Sequence, residues 1–297
     1  MYCKYYGLKE RPFNVTSDPA FFFSSKKHKE ALSHLLYGVS QRKGIIVLTG
    51  EIGTGKTTIC RFFLNQVGKN VKTAFILNPT FSEIQLLESI VKDFGINPNK
   101  KTKLGMVIEL NNFLLRESTA GNNLVLIVDE AQNLKPNLLE QIRLLSNLET
   151  EKDKLLQVIL VGQPELNARL NLYDLRQLRQ RIMVRYHITP LDSDEIKNYI
   201  HYRLRIAKPD HDAEIHPLAS HDTTRSNLPG SKQSQIEFTD SAIDLISQFS
   251  GGTPRLINMI CDRALLAGFV SETNYIDADI INKCIQELDN YSIAKNA

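Results

Sequence analysis

The sequence has 297 residues, 42% of them hydrophobic and 23% charged, with a formal net charge of +3. That is the composition of a globular chain with room for one or two domains, and it excludes collagen-like, wholly disordered and membrane-embedded classes. Four cysteines, Cys3, Cys60, Cys261 and Cys284, include no close pair, which excludes a disulfide framework or a cysteine zinc site and suits a reducing compartment.

The small net charge conceals a split. Residues 1–190 hold 26 Lys+Arg against 17 Asp+Glu, and residues 191–297 hold 10 against 16. In chain order, the N-terminus Met1-Tyr2-Cys3-Lys4-Tyr5-Tyr6-Gly7 lacks the apolar stretch of a signal peptide. The longest apolar runs, such as Leu124–Val128, fall far short of the roughly 20 residues that span a bilayer. A cytoplasmic location is therefore expected, with peripheral association at the inner face of the cytoplasmic membrane left open.

Short β-branched or apolar runs at Ile45–Thr49, Thr73–Leu77, Leu124–Val128, Gln157–Val161 and Met183–Ile188 predict five strands. The first four are continuous rather than alternating, as in strands buried on both faces. Helical patterns alternate with them at Thr57–Val67, Ser82–Phe94, Lys103–Glu117 and Lys135–Leu148. Ser82 is a candidate N-cap, and Leu138, Leu139, Ile142, Leu145 and Leu148 form an apolar stripe. The alternation predicts an α/β fold with a five-stranded, mostly parallel sheet.

After Pro190 only helices are expected, at 192–207, 240–249, 255–269 and 277–288, opened by Asp192 (with Glu195 three residues on), Asp240 and Asp277. The segment 208–235 is rich in Pro, Ser, Thr, His, Asp and Asn and reads as a flexible insert. Its His211, His216 and His221, at five-residue spacing, offer a conceivable metal site, but a solvated insert is expected because an unstructured segment lacks preorganised ligand geometry. The expected organisation is an α/β core over 1–190 and a small all-helical domain over 191–297.

One string carries the chemistry. Gly50-Glu51-Ile52-Gly53-Thr54-Gly55-Lys56-Thr57, with Thr58 following, matches the P-loop pattern between a strand and a helix. Glycines let successive N–H groups curl around phosphate oxygens, and the helix adds its positive end. Lys56 offers a charge to the β- and γ-phosphates, and Thr57 a hydroxyl to Mg2+.

Four further signals point the same way. Asp129 and Glu130 end a buried strand, Asp129 placed to hold Mg2+ and Glu130 to polarise an attacking water. Gln163 follows another buried strand, where strand ends converge on a ligand crevice. Arg176, Arg179, Arg181 and Arg185 form a cluster from which one guanidinium could serve a neighbour's γ-phosphate. Gly251-Gly252-Thr253-Pro254-Arg255 opens a helix and presents Arg255. There is no Asn-Lys-x-Asp string of the guanine-binding type, so ATP is expected over GTP.

Together these pieces resemble an AAA+ ATPase, an α/β core with a helical lid and the nucleotide between them. The resemblance implies Walker A at Gly50–Thr57, Walker B at Asp129-Glu130, sensor 1 at Gln163 and sensor 2 at Arg255. It places an arginine finger at Arg181, with Arg179 second. A narrower resemblance is to the ExeA/GspA-type general secretion pathway ATPases. It is carried by Tyr6-Gly7-Leu8, Pro12-Phe13, Asp18-Pro19, His28 and Ala31-Leu32, by Asp129-Glu130-Ala131-Gln132-Asn133-Leu134, by Gly162-Gln163-Pro164-Glu165-Leu166, and by Gly252-Thr253-Pro254-Arg255-Leu256-Ile257-Asn258.

This implies an oligomeric, Mg2+-dependent ATP-hydrolysing motor or switch, with a protein partner in secretion or surface-export assembly. Larger members of that family continue into a transmembrane helix and a peptidoglycan-binding domain, whereas this sequence stops after the lid. Similar stand-alone ATPases regulate transposition, which leaves a DNA-binding regulator as the alternative and DNA as an alternative partner. The aromatic-rich start (Tyr2, Tyr5, Tyr6, Phe13, Phe21, Phe22, Phe23) is expected either to strap the core or to cover the adenine.

Overall fold

The computed structural model describes residues 1–16, 18–98, 101–150, 153–209 and 236–293. The insert expected at 208–235, with its three histidines, lies outside the described residues from 210 onward. The chain divides into two compact units, Lys26–Thr189 and a second made of Met1–Ser25 with Pro190–Ala297. The N-terminal segment expected with the α/β core thus belongs to the helical unit. The charge asymmetry persists on this division, with 23 cationic against 15 anionic residues in Lys26–Thr189 and 13 against 18 in the remainder.

The N-terminal segment contains a short helix, α1 (Tyr2–Tyr5). The α/β unit then runs α2 (Lys26–Ser40), β1 (Ile45–Gly50), α3 (Lys56–Gln66), β2 (Val71–Ile76), α4 (Glu83–Asp93), α5 (Lys103–Thr119) and β3 (Asn123–Val128). It continues with α6 (Pro136–Leu145), β4 (Gln157–Gly162), α7 (Glu165–Leu170), α8 (Arg176–Gln180) and β5 (Ile182–Ile188). The strands form one sheet in the order β2-β3-β4-β1-β5, and every neighbouring pair is parallel.

Position in the sheet explains the strand patterns. β1, β3 and β4 occupy the three inner places and are buried along their whole lengths. β2 was expected to be continuous and is not: Ala74 and Ile76 are buried while Lys72 is exposed, because β2 is an edge strand paired only with β3. β5, the other edge, alternates likewise.

Side-chain period 2 sorts the inner strands between two layers. Ile45, Val47, Leu124, Leu126, Val128, Val158 and Leu160 pack with Leu86 and Ile90 of α4, Met106 and Leu110 of α5, and Leu138, Leu139 and Ile142 of α6. On the other parity, Ile46 meets α2 so closely that a Cβ on Gly38 would lie 2.4 Å from its Cδ1. Each fully buried Leu or Ile contributes about 1.5–3 kcal/mol, so this double-sided core is what fixes the strand ends. Ser82 caps α4 in a reciprocal capping box with Gln85.

The helical unit adds α9 (Ser193–Ile206), β6 (Glu237–Phe238), α10 (Asp240–Ser250), α11 (Pro254–Val270), β7 (Tyr275–Ile276) and α12 (Ala278–Ile293). Asp192 and Glu195 form the expected capping box on α9. Two expectations are corrected. Two strands exist here, β6 and β7, paired parallel through Glu237–Tyr275 and Phe238–Ile276 and too short to show a period. The cap of α10 is Thr239, whose hydroxyl accepts from Ala242 N at 3.0 Å, with Asp240 one place inside.

The aromatic N-terminal segment is part of this unit's core, where Tyr2, Tyr6, Phe13, Phe21 and Phe23 pack with Tyr199, Ile200, Phe238 and Leu265. Tyr6 Oη donates towards the carbonyls of Leu265 (3.1 Å) and Thr273 (3.0 Å). Arg203, buried on α9, donates to Pro12 O at 2.5 Å and Asn14 O at 2.9 Å and lies over the Phe21 ring. Backbone bonds from a buried cation, together with ring burial, hold the segment within this unit.

Candidate active site

Parallel strands put the chemistry at one edge of the sheet. The loop after β1, the turn after β3 and the turn after β4 all leave from C-terminal strand ends, with β4 between the other two. Gly50–Thr58, Asp129, Glu130 and Gln163 are therefore brought together in one unit.

The loop's glycines answer to geometry. Gly53 and Gly55 have φ of +82° and +93°, in the region that favours glycine. A Cβ on Gly50 would lie 2.9 Å from both Ile188 O and Thr54 Oγ1. Thr54 is buried and donates from its hydroxyl to Glu51 O at 2.8 Å, which closes the loop on itself. Glu51 and Ile52 are exposed at its tip. Lys56, only 6% exposed, donates from Nζ to Gly50 O (2.8 Å) and Glu51 O (2.9 Å). Burial pulls the Lys56 ammonium below its ordinary pKa, against the opposing pull of Glu130 and Asp129.

Asp129 is 1% exposed. Its Oδ2 accepts from Thr57 Oγ1 at 2.6 Å and its Oδ1 from Glu130 N at 2.9 Å. Burial raises its carboxyl pKa, and the Thr57 hydroxyl works in the other direction. A hydroxyl and a carboxylate at this spacing, beside a glycine-bearing loop, are oxygen donors of the kind a hard divalent cation takes.

Glu130 sits in the left-handed region, with φ +53° and ψ +38°, at the start of a 3₁₀ turn over Ala131–Asn133. Such backbone is uncommon for a non-glycine residue and persists where neighbours enforce it. Here Glu130 Oε2 accepts from Gln132 Nε2 at 2.5 Å and from Gln163 Nε2 at 3.2 Å. Gln132 Oε1 in turn accepts from Gln163 N at 3.1 Å. Gln132 thus links the carboxylate to the end of β4, and a Cβ on Gly162 would lie 2.8 Å from its Oε1.

Gln132 was not singled out by sequence reasoning, and its place two residues after Glu130 is the signal that could have found it. Thr49, Asn167 and His187 also meet at these strand ends, through Thr49 Oγ1 to His187 Nδ1 (3.0 Å) and Asn167 Nδ2 (3.4 Å).

The arginines of the α/β unit lie elsewhere in it. Arg179 and Arg181 precede β5 and so stand at the opposite strand ends from the loop, about 20 Å away at roughly 3.3 Å per strand residue. Arg181 lines a cavity of about 450 Å3 together with Arg42, Lys43 and Lys154. Arg176 stacks on the Tyr173 ring at 4.5 Å. Arg185 is on β5, its pKa lowered by burial and by Arg179. Arg255 is in the helical unit, exposed in the first turn of α11. There Gly252, φ +77°, has no room for a side chain, since a Cβ would lie 2.0 Å from Leu191 O. The Gly-Gly-Thr-Pro string thus has a packing role of its own.

Residues 39–170 match the family described as an AAA domain. The sequence is 42% identical over 277 residues to general secretion pathway protein A of Aeromonas hydrophila, covering 93% of this chain and 46% of that protein. The chain therefore spans about half the length of the curated relative it matches. Among solved structures it is similar to the Aeropyrum pernix ORC2 protein in its ADPNP-ADP complexes (TM-score 0.65, 17% identity, 94% of this chain and 72% of that one). It is also similar to the Thermotoga maritima RuvB Holliday junction branch migration motor (TM-score 0.54, 17% identity, 89% and 69%). At such identities the two structures establish the shared fold alone.

Proposed function

We propose that the chain, which matches the AAA domain over residues 39–170 and is 42% identical to general secretion pathway protein A, is an AAA ATPase that hydrolyses ATP as a motor or switch in secretion or surface-export assembly. One observation carries the reading. A phosphate-type loop, a hydroxyl–carboxylate pair and a second carboxylate held by two glutamines converge at the ends of β1, β3 and β4.

The donor set fits ATP with Mg2+. Bound magnesium would supply positive charge against the negative charge that develops on the phosphates. Thr57 and Asp129 would hold it. The backbone from Gly50 to Thr58 would cradle the phosphates, with Lys56 as their point charge. Glu130 would accept a proton from the attacking water, and Gln163 would orient that water or the γ-phosphate. Arg255 is proposed as the sensor 2 arginine.

Arg181, with Arg179 second, is proposed as an arginine finger acting in trans. Its distance along the sheet from its own loop supports this, because a guanidinium there can serve only another copy's nucleotide. A homo-oligomer follows from that proposal, as does a protein partner of the secretion type. The name of the sequence relative favours this reading over the transposition alternative. Among the described residues no helix is long and apolar enough to cross a membrane. Peripheral attachment at the cytoplasmic membrane is proposed as the place of work.

The test is ATP binding and turnover by the purified chain with Mg2+, with and without DNA, lipid vesicles and cell-wall fragments. Turnover stimulated by DNA alone would move the reading to the alternative. Absence of nucleotide binding would overturn it altogether.

A further inference from the structure

We propose that His28 is a positioning residue of the phosphate loop. It holds the Thr54 carbonyl on the outer side of the loop and so aims the Gly55 N–H inward at a nucleotide phosphate. The inference rests on the reading of Gly50–Thr57 as the nucleotide loop.

α2 is mostly a packing helix, burying Ala31, Leu32, Leu35 and Val39. His28, in its first turn, is buried too, at 5% exposure, although it is polar. Its Nε2 lies 2.9 Å from Thr54 O. A carbonyl oxygen only accepts, so Nε2 carries the proton and donates. The peptide joining Thr54 to Gly55 is trans, since the chain has no cis bonds among its described residues. In a trans peptide the C=O and the following N–H point to opposite sides of the backbone. Fixing the carbonyl towards His28 therefore fixes the Gly55 N–H away from it.

The imidazole also occupies the side of Gly55 on which a side chain would stand. A Cβ there would lie 3.2 Å from Nε2, and Gly55 has φ +93°. The loop thus has three restraints. Lys56 Nζ gathers the Gly50 and Glu51 carbonyls, Thr54 Oγ1 closes on Glu51 O, and His28 orients the Thr54–Gly55 peptide, which neither of these reaches. Thr54 is only 1% exposed, so its carbonyl has little access to water as a substitute partner. A donor aimed before the ligand arrives lowers the ordering cost of binding.

The experiment is calorimetric titration of the whole chain with ADP, for wild type, His28→Leu, His28→Gln and His28→Asn, with circular dichroism as the folding control. Gln reaches as far as Nε2 and keeps a donor, Leu keeps bulk only, and Asn is too short. The expected result is that His28→Leu and His28→Asn lose about tenfold or more in ADP affinity, while His28→Gln stays within about threefold of wild type. With ATP, the same loss is expected in KM and not in kcat.

A folded His28→Leu that binds ADP like wild type overturns the proposal. So does a folded His28→Gln that loses as much as His28→Leu. If His28→Leu does not fold, equal affinities for the Gln and Asn variants overturn it. If wild type itself binds no ADP, the reading of the loop falls first, and the role of His28 falls with it.

Discussion

Thr57 Oγ1 donates a 2.6 Å hydrogen bond to Asp129 Oδ2, tying the first turn after β1 to the end of β3, 72 residues further along the chain. These are the two oxygens proposed to hold magnesium. The bond keeps them in register across the intervening strand β4 and supplies part of what a buried carboxylate loses on leaving water.

Burial raises the Asp129 pKa above its ordinary value. The ionised form is therefore disfavoured in the folded chain at every pH above the folded pKa. That cost fades as pH falls through the folded pKa towards the ordinary carboxylate range. Asp129→Asn removes the cost, keeps an acceptor for the Glu130 N–H and leaves the Thr57 hydroxyl free to turn and accept. Without magnesium or nucleotide, its melting temperature at pH 7 should equal or exceed that of wild type by a few degrees, with the gap narrowing at lower pH. Scanning calorimetry at several pH values checks this, and a variant several degrees less stable at pH 7 contradicts it.

Gln132 bridges the Glu130 carboxylate and the Gln163 backbone. Gln132→Ala should let the carboxylate swing from its left-handed perch. The expected outcome is a fall in kcat of about tenfold with KM for ATP little changed, since general-base positioning is lost and phosphate binding is not. A rise in KM at constant kcat would assign Gln132 to ground-state binding instead.

Arg203→Ala should detach the N-terminal segment from the helical unit. Two carbonyls, of Pro12 and Asn14, lose a charged donor, each such bond contributing about 1.5–3 kcal/mol. A melting point lower by roughly 5–10 °C is expected, together with faster tryptic cleavage after Lys9. Unchanged cleavage there would mean that the aromatic rings and the Tyr6 hydrogen bonds hold the segment without Arg203.

Arg181→Ala subunits mixed with wild type should depress turnover more than in proportion to their share, because each defective copy would disable a neighbour's site. A titration of the mixing ratio measures this. Simple averaging would contradict a finger acting in trans.

Much of this was legible in the residues. Gly50–Thr57 announces both a loop and its ligand, because few other tasks need three glycines, a lysine and a threonine at that spacing between a strand and a helix. The inner strands β1, β3 and β4 read as continuous runs because both of their faces are buried. β2 misled because edge or centre is decided by sheet order, which local sequence does not encode. β6 and β7, two residues each, have no period to read.

Gln132, His28 and Arg203 act through partners 31, 26 and 191 residues away. Such pairings exist only once the chain is folded. The aromatic start was visible, but its destination depended on a buried arginine whose position no motif marks.

The proposed function requires that the ends of β1, β3 and β4 form one hydrolytic site. Its most direct test measures ATP binding and Mg2+-dependent turnover side by side for wild type and Glu130→Gln, with Lys56→Ala as the binding control. Glu130→Gln should bind ATP within about threefold of wild type while turnover falls about a hundredfold or more, and Lys56→Ala should lose about tenfold or more in affinity. Turnover by Glu130→Gln at the wild-type rate would exclude Glu130 as the residue that activates water.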